Sequence, residues 1–213
     1  MRARNRQNRK PNNVLHIFCE GSKTEPNYIE HYKDLFCQDK RASVIVEKTD
    51  KTTPVQLVED AVKMKESSLV GKGDEFWVVY DRESPAKYDE SLHVKARNLA
   101  QTHDVHIAIS NVCFEVWLLL HFQPTCAACN TCDELTGRKD FKKHLEDYQK
   151  GAGCRFTSGE IAKARVNAKR MNAQTINAAD KAWDVPSKWN PYTDVYKLLD
   201  AIDEFTPENK GRL

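Results

Sequence analysis

Residues 14–28 read VLHIFCEGSKTEPNY, a run of apolar residues that stops at Glu20-Gly21 before a new helix begins. The nearly continuous apolar run predicts a strand over residues 14–19 that is buried on both faces, as strands of parallel sheets are. Glu20 follows this strand directly. The stretch therefore predicts a buried first strand that delivers one carboxylate to the edge of a sheet.

The helix that follows this strand has two candidate N-caps. Ser22 and Glu25 have the S-x-x-E spacing of a capping box, while Thr24 precedes Glu25-Pro26 and would place proline in the first turn. In both cases the helix continues through Tyr28 and Phe36 with apolar residues at helical spacing. Glu25 is thus either a capping residue or a member of a functional site.

Further strands are predicted at residues 43–47, 76–80 and 105–109, separated by helical stretches at residues 54–64 and 88–102. Strands that alternate with helices indicate βαβ units with right-handed crossovers. The predicted fold class is therefore α/β, with a mostly parallel sheet of about four strands flanked by helices. The strand order does not follow from these patterns.

The C-terminal half is predicted to be helical. A helix over residues 113–122 is apolar nearly all round and is expected to lie deep in the protein. Later helices are predicted at residues 140–149, 158–172 and 193–205. We accordingly divide the chain into a basic flexible tail (1–12), an α/β core (13–122), and a helical insertion with C-terminal helices that completes the same domain (123–213).

Composition favours one globular domain in the cytoplasm. The chain has 213 residues, 40% hydrophobic and 30% charged, and no apolar run near the roughly 20 residues that span a bilayer. Its N-terminus lacks the apolar region of a secretory signal. The seven cysteines are therefore expected to be reduced, without a disulfide framework.

Positive charge is concentrated in two places. The first ten residues carry five basic residues and no acid, although the whole chain has a net charge of only +2. Residues 151–174 carry five basic residues and one acid, and four of them, Lys163, Arg165, Lys169 and Arg170, lie on one predicted helix. Both regions could bind a phosphate backbone. The alternative is a solvated tail for the first region and a solvated helix face for the second.

Two carboxylates are predicted to meet at one edge of the sheet. Glu20 and Asp81 each directly follow a predicted strand, and ligands of open parallel sheets bind beyond the carboxyl ends of the strands. If the two strands are neighbours, these side chains lie close together, and like charges that approach closely are costly unless a cation intervenes or one group is protonated. Mg²⁺, held by a few carboxylates and completed by water and phosphate oxygens, fits such a site. Glu83 joins them if the strand continues for two more residues.

Two more residues are weaker members of this site. Lys23 could touch a phosphate, although a solvated lysine is the alternative. Glu115 lies in the first turn of the apolar helix, where a carboxylate needs a partner. That partner is either the helix N-terminal amides or the metal cluster. His121 in the same helix is interpreted as a core histidine.

Cys126, Cys129 and Cys132 form a C-x-x-C-x-x-C pattern, with Cys154 or His144 available as a fourth zinc ligand. Structural zinc usually uses two closely spaced pairs of ligands, and the second pair is missing here. Ordinary reduced thiols are the alternative. The chain has no P-loop and no G-x-G-x-x-G pattern.

Four segments, FCEGSKTEPNYIEHY, VVYDRES, SNVCFEVWLLLHF and NPYTDVYKLL, resemble the RloB-like family in order and spacing, across residues 14–205. Such proteins look like members of the Toprim superfamily, related to OLD-type nucleases, which hold Mg²⁺ with a glutamate after the first strand and a D-x-D motif after a later one. The resemblance implies that Glu20, Asp81 and Glu83 are metal ligands and that Glu25 matches the family's second glutamate. Glutamate at 83 departs from the D-x-D pattern and has a longer reach. The resemblance also implies a separate ATPase partner and a role in bacterial defence against phage.

These observations predict a phosphodiesterase that depends on Mg²⁺ or Mn²⁺ and acts on DNA or RNA, with Glu20, Glu25, Asp81, Glu83 and Glu115 at its centre. Lys23 and the four basic residues of the 158–172 helix would contact the nucleic acid. One alternative is a non-catalytic subunit that binds nucleic acid or nucleotide for an ATPase. A phosphoacceptor domain is a third alternative, which would need a lysine after a later strand that is not evident.

Overall fold

The computed structural model describes residues 13–37, 43–146, 148–149, 155–182 and 184–205. The predicted basic tail and Cys154 lie outside these ranges. Within them the chain forms five strands: β1 (Leu15–Cys19), β2 (Val44–Glu47), β3 (Glu75–Asp81), β4 (His106–Asn111) and β5 (Tyr192–Thr193). The helices are α1 (Thr24–Phe36), α2 (Pro54–Lys65), α3 (Glu90–Thr102), α4 (Glu115–Leu119), α5 (Cys132–Gly137), α6 (Lys139–His144), α7 (Ser158–Ala178) and α8 (Val195–Phe205), with a 3₁₀ turn at Pro186–Lys188.

The sheet has the order β2-β1-β3-β4-β5, with the first four strands parallel and β5 antiparallel to β4. This confirms the predicted α/β class. Strands β1 and β3 are neighbours, in a register that runs from Leu15 opposite Glu75 to Cys19 opposite Val79. The chain proceeds outward in opposite directions from β1 and β3, which makes the gap between their carboxyl ends the place where ligands of such folds bind.

Apolar clusters cover both faces of the sheet, as the unbroken apolar pattern of β1 and β3 predicts. Alternate residues point to opposite faces: Ile17 and Trp77 pack in the cluster that contains α1, α4, α7 and α8, and Phe18 and Phe76 pack with α2 and α3. The first cluster holds residues of β1 and of the C-terminal helices together. In the part of the chain that is described, no helix has the length and apolarity needed to cross a membrane.

Several helices differ from their predicted limits for local reasons. Helix α3 begins at Glu90 because Asp89 accepts a hydrogen bond from the Ser91 N–H at 2.8 Å. The predicted helix at 113–122 is regular only over Glu115–Leu119, and His121 and Phe122 continue it with the tighter bonds of a 3₁₀ turn. The predicted helix at 140–149 corresponds to α6, which ends at His144, and α5 is a further short helix before it.

His121 is a core residue, as predicted. Its ring accepts or donates hydrogen bonds to the Tyr28 hydroxyl at 3.0 Å and to the Trp117 carbonyl at 3.0 Å, and it stacks on Phe156. Burial lowers the pKa of His121 to about 4. The ring is therefore neutral and joins α1 to the segment after α4.

Candidate metal centre

Glu20 and Asp81 meet at the carboxyl ends of β1 and β3. The Glu20 N–H donates to the Val79 carbonyl at 2.9 Å, which extends the strand pairing by one residue. The Asp81 N–H in turn donates to Glu20 Oε2 at 3.0 Å, and the Tyr88 hydroxyl lies 2.9 Å from Glu20 Oε1. Both oxygens of Glu20 are thus oriented by hydrogen bonds, and each keeps a lone pair for a further ligand.

Glu25 lies at the same edge, in the first turn of helix α1. The N-cap residue of α1 is Lys23 rather than Ser22 or Thr24, and the Lys23 side chain makes no capping hydrogen bond. The Glu25 carboxylate packs on Gly21, where an added Cβ would overlap its oxygens. Only 5% of Glu25 is exposed. The absence of a side chain at Gly21 is therefore what lets Glu25 reach the end of β1.

Asp81 is the electrostatic centre of the acidic cluster, which we define as Glu20, Glu25, Asp81, Glu83 and Glu115. Burial raises the pKa of Asp81 well above its ordinary value, and the charges of the other four members raise that pKa further. The pKa of Glu20 is also raised, mainly by burial. Hydrogen bonds from Asp81 N–H and the Tyr88 hydroxyl and the charge of Lys87 oppose that rise.

Glu83 reaches this site by a different route from the one predicted. Strand β3 ends at Asp81, and Glu83 adopts a left-handed backbone conformation with φ of 58°. Its N–H donates to the Val112 carbonyl at 2.9 Å, and its carboxylate pairs with Lys87 Nζ at 2.6 Å. The strand does not continue past Asp81, so the alternation expected for Asp81 and Glu83 does not apply.

Glu115 is 1% exposed in the first turn of α4. The Tyr148 hydroxyl donates to Glu115 Oε1 at 2.6 Å, and Cys132 Sγ lies 3.1 Å from Glu115 Oε2. These two contacts come from residues after α4, while the charge of Glu115 acts on Asp81 in the acidic cluster. The sequence offers the helix N-terminal amides or the metal cluster as the partner of Glu115 and does not indicate Tyr148 or Cys132.

A cleft of about 390 Å³ opens over this edge of the sheet. Four acids (Glu20, Glu25, Asp81, Glu83) and two lysines (Lys23, Lys87) line it, together with Gly21, Ser22, Thr24, Thr52 and Tyr88. The lining therefore carries an excess of two formal negative charges. A cation is the ligand that such a surface attracts.

The donor set fits a hard divalent cation. Burial and the charges of the neighbouring acids raise the pKa of Asp81, so its charged form is stabilised when a cation enters, and carboxylate oxygens are the ligands of Mg²⁺. Among the described residues, no three members of the acidic cluster bring ligand oxygens within 4.8 Å of one another. At most two of them can therefore contact one ion in this arrangement, and Mg²⁺ typically binds one or two carboxylates and keeps several waters.

Tyr88 and Lys87 are site residues that the sequence reasoning did not identify. The sequence predicts Tyr88 at the start of a helix, but it precedes α3. Its hydroxyl lies between Glu20 Oε1 and the Thr52 carbonyl. Lys87 Nζ lies 5.2 Å from the Tyr88 ring centroid while it pairs with Glu83. The sequence offers one signal for them: Lys87 and Tyr88 follow Asp81 by six and seven residues, in a segment that contains Pro85.

Tyr88→Phe is expected to weaken Mg²⁺ binding by about 10- to 100-fold, because a residue that orients a metal ligand contributes on that scale. The reason is that Glu20 Oε1 loses its hydroxyl partner while the ring stays in place. The dissociation constant for Mg²⁺, measured by titration, should rise accordingly. Tyr196→Phe, outside the cleft, is the control, and an unchanged dissociation constant in Tyr88→Phe would contradict the role.

The predicted nucleic-acid contacts on α7 have different surroundings. Lys163, Lys169 and Arg170 are exposed. Lys163 Nζ donates to the Phe122 carbonyl at 2.9 Å, and Lys169 pairs with Asp200 at 3.3 Å. Arg165 is buried, and its guanidinium pairs with Asp200 at 2.6 Å and Asp203 at 2.8 Å. Arg165 therefore ties α7 to α8 and has little charge to present to a phosphate.

Arg165→Ala is expected to lower the free energy of unfolding by about 3 kcal/mol, because the change leaves two carboxylates without their buried partner. Arg170→Ala, on the exposed side of the same helix, should change it by no more than about 0.5 kcal/mol. Urea denaturation of both variants measures the difference. Equal stability of the two would show that the Arg165 ion pairs contribute nothing.

The cysteines differ from the expectation that all are reduced. Cys113 and Cys132 form a disulfide, whereas Cys19, Cys37, Cys126 and Cys129 are buried and not disulfide-bonded. Cys132 in this state has no thiolate to offer to the predicted zinc site. Cys126 Sγ lies 4.0 Å from the Met171 sulfur, and His144 stacks on Phe122. The pairing joins Cys132 of the C-x-x-C-x-x-C pattern to Cys113, which lies outside that pattern.

The fold and the site define an α/β protein with a cluster of buried carboxylates at the carboxyl edge of its parallel sheet. Comparison with known families gives a match over residues 15–202 to the family described as RloB-like protein. The chain therefore belongs to the RloB-like family. No curated protein and no solved structure matches it.

Proposed function

We propose that this protein is a divalent-metal-dependent nuclease that hydrolyses phosphodiester bonds in DNA or RNA. The observation that supports this most is the meeting of Glu20 and Asp81 at the β1–β3 edge, where the Asp81 N–H donates to Glu20 and where burial and the neighbouring acids raise the pKa of Asp81. The resemblance of this motif set to Toprim nucleases agrees with it. Phosphodiester hydrolysis needs no nucleophilic side chain, and the residues that line the cleft offer no Ser-His pair.

Glu20 and Asp81 would hold Mg²⁺ or Mn²⁺ directly, with Glu83, Glu25 and Glu115 supplying further negative charge around the ion. When bound, such an ion supplies a Lewis acid for phosphate oxygens and a more acidic water as nucleophile. The chain's own contribution is to orient the ligands. The Asp81 N–H and the Tyr88 hydroxyl fix Glu20, and Gly21 gives Glu25 room to approach.

The lysines of the cleft suit a phosphate-containing substrate. Lys87 sits at the rim and is exposed, although it pairs with Glu83, and Lys23 is exposed at the start of α1. A phosphate that enters the cleft would compete with Glu83 for Lys87. In this proposal Lys87 and Lys23 guide the backbone inward, and Lys163, Lys169 and Arg170 or the basic N-terminal residues hold more distant phosphates.

We also propose, from the family resemblance alone, that the nuclease acts with a separate ATPase subunit in bacterial defence against phage. The experiment combines the purified protein with that ATPase, ATP and Mg²⁺ or Mn²⁺, and supplies single- and double-stranded DNA and RNA. Cleavage that EDTA abolishes is the expected result. Intact substrates in every condition, together with a complex that forms without divalent ions, would favour the non-catalytic subunit instead.

A further inference from the structure

A second group of metal-ligating atoms lies beside the acidic cluster. Cys113 stands two residues before α4, and Cys132 is the first residue of α5. Their sulfurs and a Glu115 carboxylate oxygen all lie within 4.8 Å of one another, and no other such group of three is found among the described residues. Cys113 and Glu115 are buried, and Cys132 is half-buried. This Cys113–Glu115–Cys132 group we call the sulfur site.

The sulfur site has the chemistry of a zinc site rather than of a magnesium site. Two thiolates and a carboxylate are ligands for Zn²⁺, and three protein ligands leave a fourth position for water. Tyr148 supports the same arrangement, because its hydroxyl donates to the other Glu115 oxygen at 2.6 Å. Such a hydrogen bond orients a carboxylate ligand.

We propose that reduction of the Cys113–Cys132 disulfide converts the sulfur site into a binding site for a thiophilic divalent cation of the Zn²⁺ type. The site is distinct from the C-x-x-C-x-x-C pattern, with which it shares only Cys132. It is also distinct from the proposed Mg²⁺ ligands, because it uses Glu115 and the two sulfurs. The proposal holds whether or not the protein is a nuclease.

The reduction balances with a dithiol as the reductant. One thiolate of the reductant attacks the sulfur of Cys132, which is the more exposed of the two, and Cys113 leaves as a thiolate that takes a proton. The second thiol of the reductant closes its own disulfide and releases Cys132. The reductant has then lost two electrons and two protons. Binding of Zn²⁺ to both sulfurs releases the two thiol protons to solvent.

The test measures zinc binding directly. Protein is reduced with a dithiol, freed of the reductant without oxygen, and titrated with Zn²⁺ against a chromophoric chelator, beside untreated protein whose disulfide is confirmed by intact mass. We expect one additional Zn²⁺ per reduced chain. The oxidised protein keeps Cys126 and Cys129 as thiols, so it controls for them. Absence of additional zinc in the reduced protein would overturn the proposal.

Matched variants identify the ligands. Cys113→Ser and Glu115→Gln should each weaken zinc binding by at least about 10-fold, since ligand changes cost no less than changes to supporting residues. Cys126→Ser should bind zinc as the reduced parent does. If Cys126→Ser loses zinc binding while Cys113→Ser retains it, the proposal is overturned and the zinc is assigned to the C-x-x-C-x-x-C pattern.

A measurement on the unmodified chain covers the case in which a variant fails to fold. Reduced protein is alkylated with and without Zn²⁺, and the labelled cysteines are located by peptide mass spectrometry. Zinc should protect Cys113 and Cys132 and leave the labelling of Cys126 and Cys129 unchanged. Protection of Cys126 and Cys129 instead would contradict the assignment.

Discussion

Asp81→Asn is expected to lower metal-dependent cleavage by on the order of 10³-fold, the scale on which loss of a charge-stabilising group at a reacting centre acts. Asp81 ends β3 opposite the end of β1. Its pKa is raised by burial and by the charges of all four other members of the acidic cluster. Asparagine has nearly the same shape but binds a divalent cation much more weakly. The measurement is a single-turnover rate at saturating Mg²⁺.

The same substitution should raise stability when no divalent ion is present. A buried carboxylate surrounded by four acids is destabilising in its charged form, and the neutral amide removes that repulsion. A higher midpoint temperature at pH 8 in EDTA, together with the lost activity, distinguishes this role from simple misfolding. Glu59→Gln, on the exposed side of α2, is the control for both measurements. A fully active Asp81→Asn enzyme would contradict the assignment.

Mg²⁺ is expected to raise the midpoint temperature strongly at pH 8 and weakly at pH 5. A ligand at 100 times its dissociation constant stabilises the folded state by about 2.7 kcal/mol. For a chain of this size that corresponds to roughly 5–10 °C. Thermal unfolding at both pH values, with Mg²⁺ or EDTA, measures the effect.

The pH dependence follows from the direction of the pKa shifts. The pKa of Asp81 and of Glu20 is raised in the folded protein, so the folded state holds protons that the unfolded chain has already released. In EDTA these groups therefore reduce stability as the pH rises above the ordinary carboxyl range. Protons and Mg²⁺ compete for the same oxygens, and this competition weakens Mg²⁺ binding at pH 5. Equal stabilisation at both pH values would show that Mg²⁺ binds elsewhere.

The sequence was sufficient to predict the positions of the two central acids. An unbroken apolar run buries a strand on both faces, and the first acid after such a run must emerge at the sheet edge, which holds for Glu20 after β1. Asp81 ends the strand that was predicted at residues 76–80. The adjacency of β1 and β3 was an assumption, because strand order depends on contacts between distant segments rather than on local periodicity.

The remaining site residues depend on backbone geometry and on long-range packing. Glu83 faces the cleft because its backbone adopts a positive φ. The two-residue spacing between Asp81 and Glu83 in the sequence does not indicate that turn. Tyr88 reaches Glu20 across 68 residues of sequence. The Cys113–Cys132 disulfide forms because α5 packs beside α4, whereas sequence spacing groups Cys132 with Cys126 and Cys129.

The central claim is that Glu20 and Asp81 share a divalent cation. Anomalous diffraction from crystals soaked in Mn²⁺ tests it most directly, because the Mn²⁺ position is located without reference to activity. We expect a peak at about 2.1 Å from an oxygen of Glu20 and from an oxygen of Asp81, a distance typical of octahedral oxygen ligands. A Mn²⁺ peak that contacts neither residue, or no peak at this edge of the sheet, would contradict the account.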